Sequence, residues 1–204
     1  MKMRIVIIGA GAAGCFAAIE VKRRCPEAEV TVLEKGTRPL AKVAITGGGR
    51  CNLTNSFAEV KSLEQVYPRG FRLMKKLFHH FSPQNAYEWF EREGIRLVTQ
   101  DDECVFPQSQ DAMEIVNKLI SLMERLKVRV VCGCKVEEIK ALPTGFELSI
   151  INSQLSIGKV LSSAFSRAWN RPRLHYIPHP RPEMFRSFYF PSPILSICRS
   201  IFLQ

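Results

Sequence analysis

Two glycine-rich runs and one acidic residue are the parts of this 204-residue chain whose types and spacing suit chemistry. Gly9-Ala10-Gly11-Ala12-Ala13-Gly14 matches a dinucleotide fingerprint in which each glycine has its own task. The first permits a tight turn, the second lets backbone approach a pyrophosphate, and the third lets a helix pack close to a strand. The N–H groups and positive dipole at the helix start then face the phosphates. Glu34 stands twenty residues past Gly14, at the end of a second apolar run, where an acidic side chain hydrogen-bonds ribose hydroxyls. Its charge repels a ribose phosphate, which favours FAD or NAD over NADP, although Lys35 and Arg38 could balance it.

The second run is Thr46-Gly47-Gly48-Gly49-Arg50-Cys51-Asn52-Leu53-Thr54-Asn55. Its glycines bring backbone against a ligand, Arg50 supplies a fixed cation, and the asparagines offer amide donors and acceptors. The bland alternative is a flexible surface loop with an incidental arginine. A ligand-lining role is favoured because the run follows Glu34, where the chain returns across a bound dinucleotide. Cys51 could be a redox thiol, but no partner cysteine lies nearby in sequence, so packing or cofactor lining is preferred for it.

No other residues make a convincing reactive set. The seven cysteines are odd in number and scattered, and Cys132-Gly133-Cys134 is too closely spaced for a zinc knuckle. His79-His80 lacks companions for a metal set, so no metal is expected. No residue stands out as a general acid or base.

The elements that must position these groups follow from the periodicity. Arg4 to Ile8 reads as a buried parallel strand, Ala12 to Arg24 as a helix stopped by Cys25-Pro26, and Val30 to Leu33 as a second strand. Together they have the size of a βαβ unit. Residues 35–58 show no clean period and read as a long loop, of the kind that is functional or disordered. Helices are expected over Phe71 to Phe81 and Pro83 to Glu93, the second capped by Ser82 and ended by Gly94. Ile95 to Thr99 and Cys104 to Phe106 read as strands about an Asp101-Asp102-Glu103 turn. An amphipathic helix is expected from Asp111 to Leu126, with Met113, Val116, Leu119, Ile120 and Met123 on its apolar side. Val128 to Cys132 then reads as a third parallel strand. Runs starting at Cys134, Gly145 and Leu155, the last reaching Leu161, read as a three-stranded meander.

Composition bounds the rest. Hydrophobic residues make up 46% and charged residues 24%, ordinary for a globular domain. Residues 1–150 hold 22 Lys and Arg against 18 Asp and Glu, whereas residues 151–204 hold 7 against 1. The net charge of +10 therefore resides mostly in the last quarter, on no regular face, which argues against nucleic-acid binding. No apolar run spans a bilayer or makes a signal peptide, so a cytoplasmic protein without a membrane partner is expected.

The run from Ile7 through Gly14, Leu33-Glu34-Lys35 and Thr46 through Asn55 resembles a bacterial NAD(P)/FAD-dependent oxidoreductase family. Its members are described as bile-acid 3-dehydro reductases or aminoacetone oxidases. The likeness continues through Phe81-Ser82-Pro83, Gly94-Ile95, Val105-Phe106-Pro107-Gln108-Ser109, Val136 and Gly145-Phe146, over roughly the first 160 residues. It implies an α/β fold: a Rossmann-like FAD-binding domain with a parallel sheet and a β-meander, here truncated. By the same resemblance Gly9, Gly11, Ala12, Ala13 and Gly14 hold the pyrophosphate, and Glu34, followed by Lys35, holds the adenosine ribose. Lys42, Gly48, Gly49, Arg50, Cys51 and Asn52 line the flavin side, and Val136 backbone meets the adenine. FAD is the implied cofactor, NAD(P)H a candidate reductant, and a small organic molecule the implied substrate.

Two departures from the family stand out. Glu103-Cys104 replaces a usual Gly-Arg, and Ala164-Phe165 stands where a Gly-Gly turn is usual. From Ser162 onward proline and arginine rise and acids almost vanish. The expectation is an incomplete FAD-binding domain over residues 1–161 and a frame-shifted, disordered ending over residues 162–204. Three functional readings stay open: the N-terminal part of a flavin oxidoreductase, a truncated FAD-binding product without turnover, and a plain NAD-binding Rossmann module.

Overall fold

The structure is a computed structural model that describes residues 3–143, 145–151, 153–157 and 159–162. Its elements in chain order begin with β1 (Arg4–Ile8), α1 (Ala12–Arg24), β2 (Glu29–Leu33) and a 3-10 segment at Val43–Gly49. There follow β3 (Thr54–Asn55), α2 (Leu63–Val66), α3 (Phe71–His80), α4 (Pro83–Arg92), β4 (Leu97–Thr99), β5 (Cys104–Pro107) and α5 (Ala112–Arg125). The last are β6 (Arg129–Val131), β7 (Val136–Leu142), β8 (Gly145–Ile150), β9 (Ser153–Ile157) and β10 (Lys159–Ser162).

The central sheet is parallel, in the order β10-β1-β2-β6. Successive strand residues face opposite sides, and the core divides accordingly. Ile5, Ile7, Val30 and Val32 enter the main core with α1 and α5. Val6 and Leu33 lie on the other face, where Leu148 of β8 is fully buried against them. The antiparallel sheet β7-β8-β9 thus covers the face that the helices leave open. The result is a helix layer, a parallel sheet and a meander, the α/β Rossmann architecture expected from the sequence. A third small sheet, β3-β5-β4, is formed by the loop region and the β4–β5 hairpin.

Helix α1 is buried along most of its length because its small residues let it approach the sheet: Gly14, Ala17 and Ala18 are all buried. Its far end is tied to α4, where Arg23 meets Glu93 at 2.6 Å and Trp89 Nε1–H donates to Glu20 at 2.9 Å. Ser82 and Asn85 form a reciprocal capping box at the start of α4, with Pro83 in its first turn. Gly94 just beyond that helix has φ +83, a conformation that glycine adopts at no steric cost.

Some expectations are corrected. The stretch 35–58 is not a structureless loop, since it contains the 3-10 segment and β3, and α2 follows it. Short, glycine-bearing elements like these leave no hydrophobic period to detect. On α5 the apolar stripe runs through Ala112, Ile115, Val116, Leu119, Leu122 and Met123, whereas Met113 is exposed. The stripe keeps the helical period but lies one position away from Met113. The last run is divided: β9 completes the meander, and β10 leaves it to pair with β1, Ile8 lying opposite Ser162. The frame-shifted ending expected over residues 162–204 lies, apart from Ser162, outside the described residues.

Candidate functional site

The site is built where β1 ends inside the parallel sheet. The chain turns at Gly9, with φ +100, and the Gly9 N–H donates to the Leu33 carbonyl at 2.7 Å, which links the turn to the end of β2. Gly11 then starts α1 in extended backbone and has no side chain of its own to cap the helix. A Cβ on Gly11 would find no atom within 4 Å, so the space over the helix start is open to a ligand. Ala12 and Ala13 form the first turn, half-buried, and Gly14 is buried behind them. The N-terminus of a buried helix is a ready anion site.

Glu34 is held across this turn. Its Oε2 accepts the Ala10 N–H and its Oε1 the Gly36 N–H, both at 2.7 Å. The backbone around it is fixed equally well: Glu34 N–H donates to Val131 and its carbonyl accepts from Cys134 N–H, both at 2.8 Å. Gly133 N–H in turn donates to the Gly36 carbonyl at 2.8 Å, so the turn after β6 braces the acid. A carboxylate has about four lone-pair sites. Two are used here, and the others can meet the two hydroxyls of a ribose. Lys35 and Arg38 beside it are exposed.

The chain returns to the glycine turn at Leu40, whose N–H donates to the Ala10 carbonyl at 2.7 Å. Lys42, exposed, precedes the 3-10 segment, and Val43 is buried in the main core. Two short turns flank a non-helical kink at Thr46, Gly47 and Gly48. Gly47, Gly48 and Gly49 all have left-handed backbone, with φ +56, +68 and +85. At Gly48 and Gly49 a Cβ would meet nothing within 4 Å, whereas at Gly47 it would stand 2.8 Å from Asn52 N and 3.1 Å from Phe106 Cε1. The sequence reading singles out Gly48 and Gly49, and the sterically required glycine is Gly47. Arg50 is exposed and lies over the Phe106 ring, 4.4 Å from its centroid.

Cys51 is buried with φ +63, and burial pushes its thiol up despite a hydrogen bond with Thr46. Cys15 beneath the glycine turn is pushed up to about 12, by burial first and then by the charges of Glu34 and Cys132. Neither thiol forms a ready thiolate, which fits a packing role for Cys51. The Asn52 Oδ1 is buried and has no hydrogen-bond partner among the described residues. An orphaned buried acceptor of this kind costs stability unless a ligand supplies a donor. Val136, half-buried at the start of β7, packs against the smaller core cluster of Val6, Leu33 and Leu148.

The structure therefore ties Ala10, Glu34, Gly36 and Leu40 together by direct hydrogen bonds, and Gly9 to Leu33. The participation of Ala10, Gly36 and Leu40 was not legible, because it runs through backbone atoms that every residue possesses. Phe106 was visible only as part of a run resembling the family.

Fold and site together define a dinucleotide-binding Rossmann domain. Residues 3–170 match the family described as the HI0933-like protein Rossmann domain, and the chain belongs to that family. It is a family of FAD-binding oxidoreductases, the same that the sequence resembles. The chain is 29% identical over 165 residues to the 3-dehydro-bile acid delta(4,6)-reductase of Clostridium scindens, covering 81% of this chain and 39% of that protein. It is 28% identical over 148 residues to the ribosomal RNA dihydrouridine synthase of Escherichia coli, covering 71% of this chain and 35% of that protein. The chain thus spans well under half the length of these curated relatives. Among solved structures, the FrdA chain of E. coli quinol fumarate reductase shares the fold with a TM-score of 0.58, at 16% identity, over 80% of this chain and 32% of that one. No helix among the described residues is long and apolar enough to cross a membrane.

Proposed function

We propose that this domain binds FAD as the cofactor-carrying part of a flavin-dependent oxidoreductase. The observation that carries the reading is the Glu34 carboxylate, held by Ala10 and Gly36 N–H groups directly beside the glycine that starts α1. In this reading the pyrophosphate lies over Gly11, Ala12 and Ala13, and the adenosine ribose hydroxyls donate to Glu34. Val136 backbone faces the adenine. Lys42 and residues 48–52 line the flavin side, where the orphaned Asn52 Oδ1 accepts an N–H donor. The Arg50 cation offsets negative charge on the nucleotide. The bound flavin supplies hydride transfer, while the protein orients it and sets its electrostatic surroundings.

For the whole protein, the reaction is reduction of a small organic substrate with NAD(P)H as reductant, in the cytoplasm. Both curated relatives carry names that denote saturation of a double bond, which supports reduction. The bile-acid reductase supports a small organic substrate, whereas the second relative's name places the bond in ribosomal RNA. We also propose a boundary after residue 161, with residues 162–204 a frame-shifted ending. The supporting observation is compositional: six of the chain's 12 prolines follow Ser162, and glycine is absent after Gly158. A one- or two-base change near codon 162 that opens a frame encoding a Gly-Gly turn is the expected result. A single intact frame without that alternative overturns the boundary. The cofactor assignment is tested by titrating FAD into the purified chain and following flavin fluorescence, against NAD as competitor.

A further inference from the structure

Arg50 is exposed, yet three contacts converge on its side chain. Its Nε–H donates to the Gly47 carbonyl at 3.2 Å, an Nη1–H donates to Gln110 Oε1 at 3.4 Å, and its guanidinium carbon lies 4.4 Å from the Phe106 centroid. A free surface arginine samples many rotamers, so an arginine met on three sides is restrained.

The groups that hold it are themselves fixed. Gln110 stands in left-handed backbone, φ +55, and its Nε2–H donates to the Pro107 carbonyl at 3.1 Å, which leaves Oε1 for Arg50. Phe106 is buried on β5 opposite Val98 of β4. Its ring also lies against the glycine loop, since a Cβ on Gly47 would stand 3.1 Å from Cε1. Glycine at position 47 is therefore what allows loop backbone, aromatic ring and guanidinium to stack in one column. Two of the five guanidinium N–H donors are used in these contacts, and the others have no partner among the described residues.

We propose that Phe106, seconded by Gln110, is a positioning residue that fixes the Arg50 charge for the bound flavin nucleotide; this rests on the FAD reading above. In this role both act through Arg50. A phenylalanine that merely filled the β4–β5 sheet could be replaced by leucine, whereas a platform for a cation needs the aromatic face.

The test uses the full chain with Phe106→Leu, Phe106→Tyr, Arg50→Ala and the Phe106→Leu/Arg50→Ala double variant. Two quantities are read: FAD affinity, and the order of the Arg50 Nε–H by nitrogen-15 relaxation without added nucleotide. Phe106→Leu is expected to weaken FAD about two- to fivefold, the range for an exposed cation–π contact, with Phe106→Tyr close to the parent. In the Arg50→Ala background the leucine change should have no further effect, and Arg50 should lose order in Phe106→Leu but not in Phe106→Tyr. Equal weakening in both backgrounds, or an Arg50 equally mobile in parent and Phe106→Leu, overturns the proposal. If the parent takes up no FAD while Arg50 order still depends on Phe106, the cofactor reading falls and the positioning of Arg50 stands.

Discussion

The Glu34 carboxylate accepts the Ala10 N–H at 2.7 Å, joining the end of β2 to the glycine turn after β1 across 24 positions of sequence. That bond fixes the acid beside the start of α1 before any ligand arrives. Preorganisation of this sort lowers the ordering cost of binding. It also gives Glu34 two tasks, as ribose acceptor and as brace of the turn.

Replacing Glu34 should therefore weaken FAD binding and also loosen the turn that it braces. For Glu34→Gln the expected penalty is about 1.5–3 kcal/mol, the range for hydrogen bonds to a charged group. Flavin titration measures it, and circular dichroism checks that the variant keeps its secondary structure. An unchanged FAD affinity in a folded variant would remove Glu34 from the site.

Gly47 and Gly48 should behave differently although both are left-handed. Gly47→Ala brings a Cβ to 2.8 Å from Asn52 N, so it should destabilise the chain without ligand, and by more than the roughly 1–3 kcal/mol of backbone strain alone. Gly48→Ala meets open space, so its cost without ligand should stay near the strain of about 1–2 kcal/mol. Its larger effect should fall on FAD affinity, by about tenfold or more (1.4 kcal/mol). Urea unfolding and flavin titration separate the two. A Gly48→Ala chain with parental FAD affinity would reduce this loop to a surface linker.

These two glycines show what a sequence conceals. Glycine spacing and the Glu34 position fix the dinucleotide motif because sterics and strand ends leave few other arrangements, and α1 and β1 have the bounds expected of them. The steric demand at Gly47 arises from the Asn52 backbone and from Phe106 of a distant strand, which only the folded loop brings against it. On α5 the expected stripe holds at Val116, Leu119 and Met123 and fails at Met113. Met113 fits the helical period, yet its neighbours leave it at the surface, and Ile115 and Leu122 fill the core instead. Glu103 is a further case. It stands where the family usually has glycine and adopts φ +63, while its carboxylate accepts a hydrogen bond from Ser56 Oγ that glycine could not receive.

Alkaline stability should carry the signature of Cys15. Its thiol titrates near 9.0 when exposed and is raised to about 12 in the fold. Above the lower value the unfolded chain releases a proton that the folded chain retains. The contribution is thus fully present below about pH 9 and is lost as pH rises toward about 12. Cys51, Cys134, Tyr67 and Tyr87 shift in the same direction. The informative quantity is therefore the difference in urea stability between parent and Cys15→Ala as pH rises. That difference should shrink through this window, and a constant difference would contradict the buried, neutral state of Cys15.

The most direct measurement is equilibrium binding of FAD to the purified full chain, followed by flavin fluorescence, with NAD titrated in parallel and the Glu34→Gln variant alongside. Saturable FAD binding that NAD does not displace at equal concentration, and that Glu34→Gln weakens, is the expected result. A chain that remains folded yet binds no FAD, or that binds NAD as tightly, would contradict the assignment of this Rossmann domain to flavin.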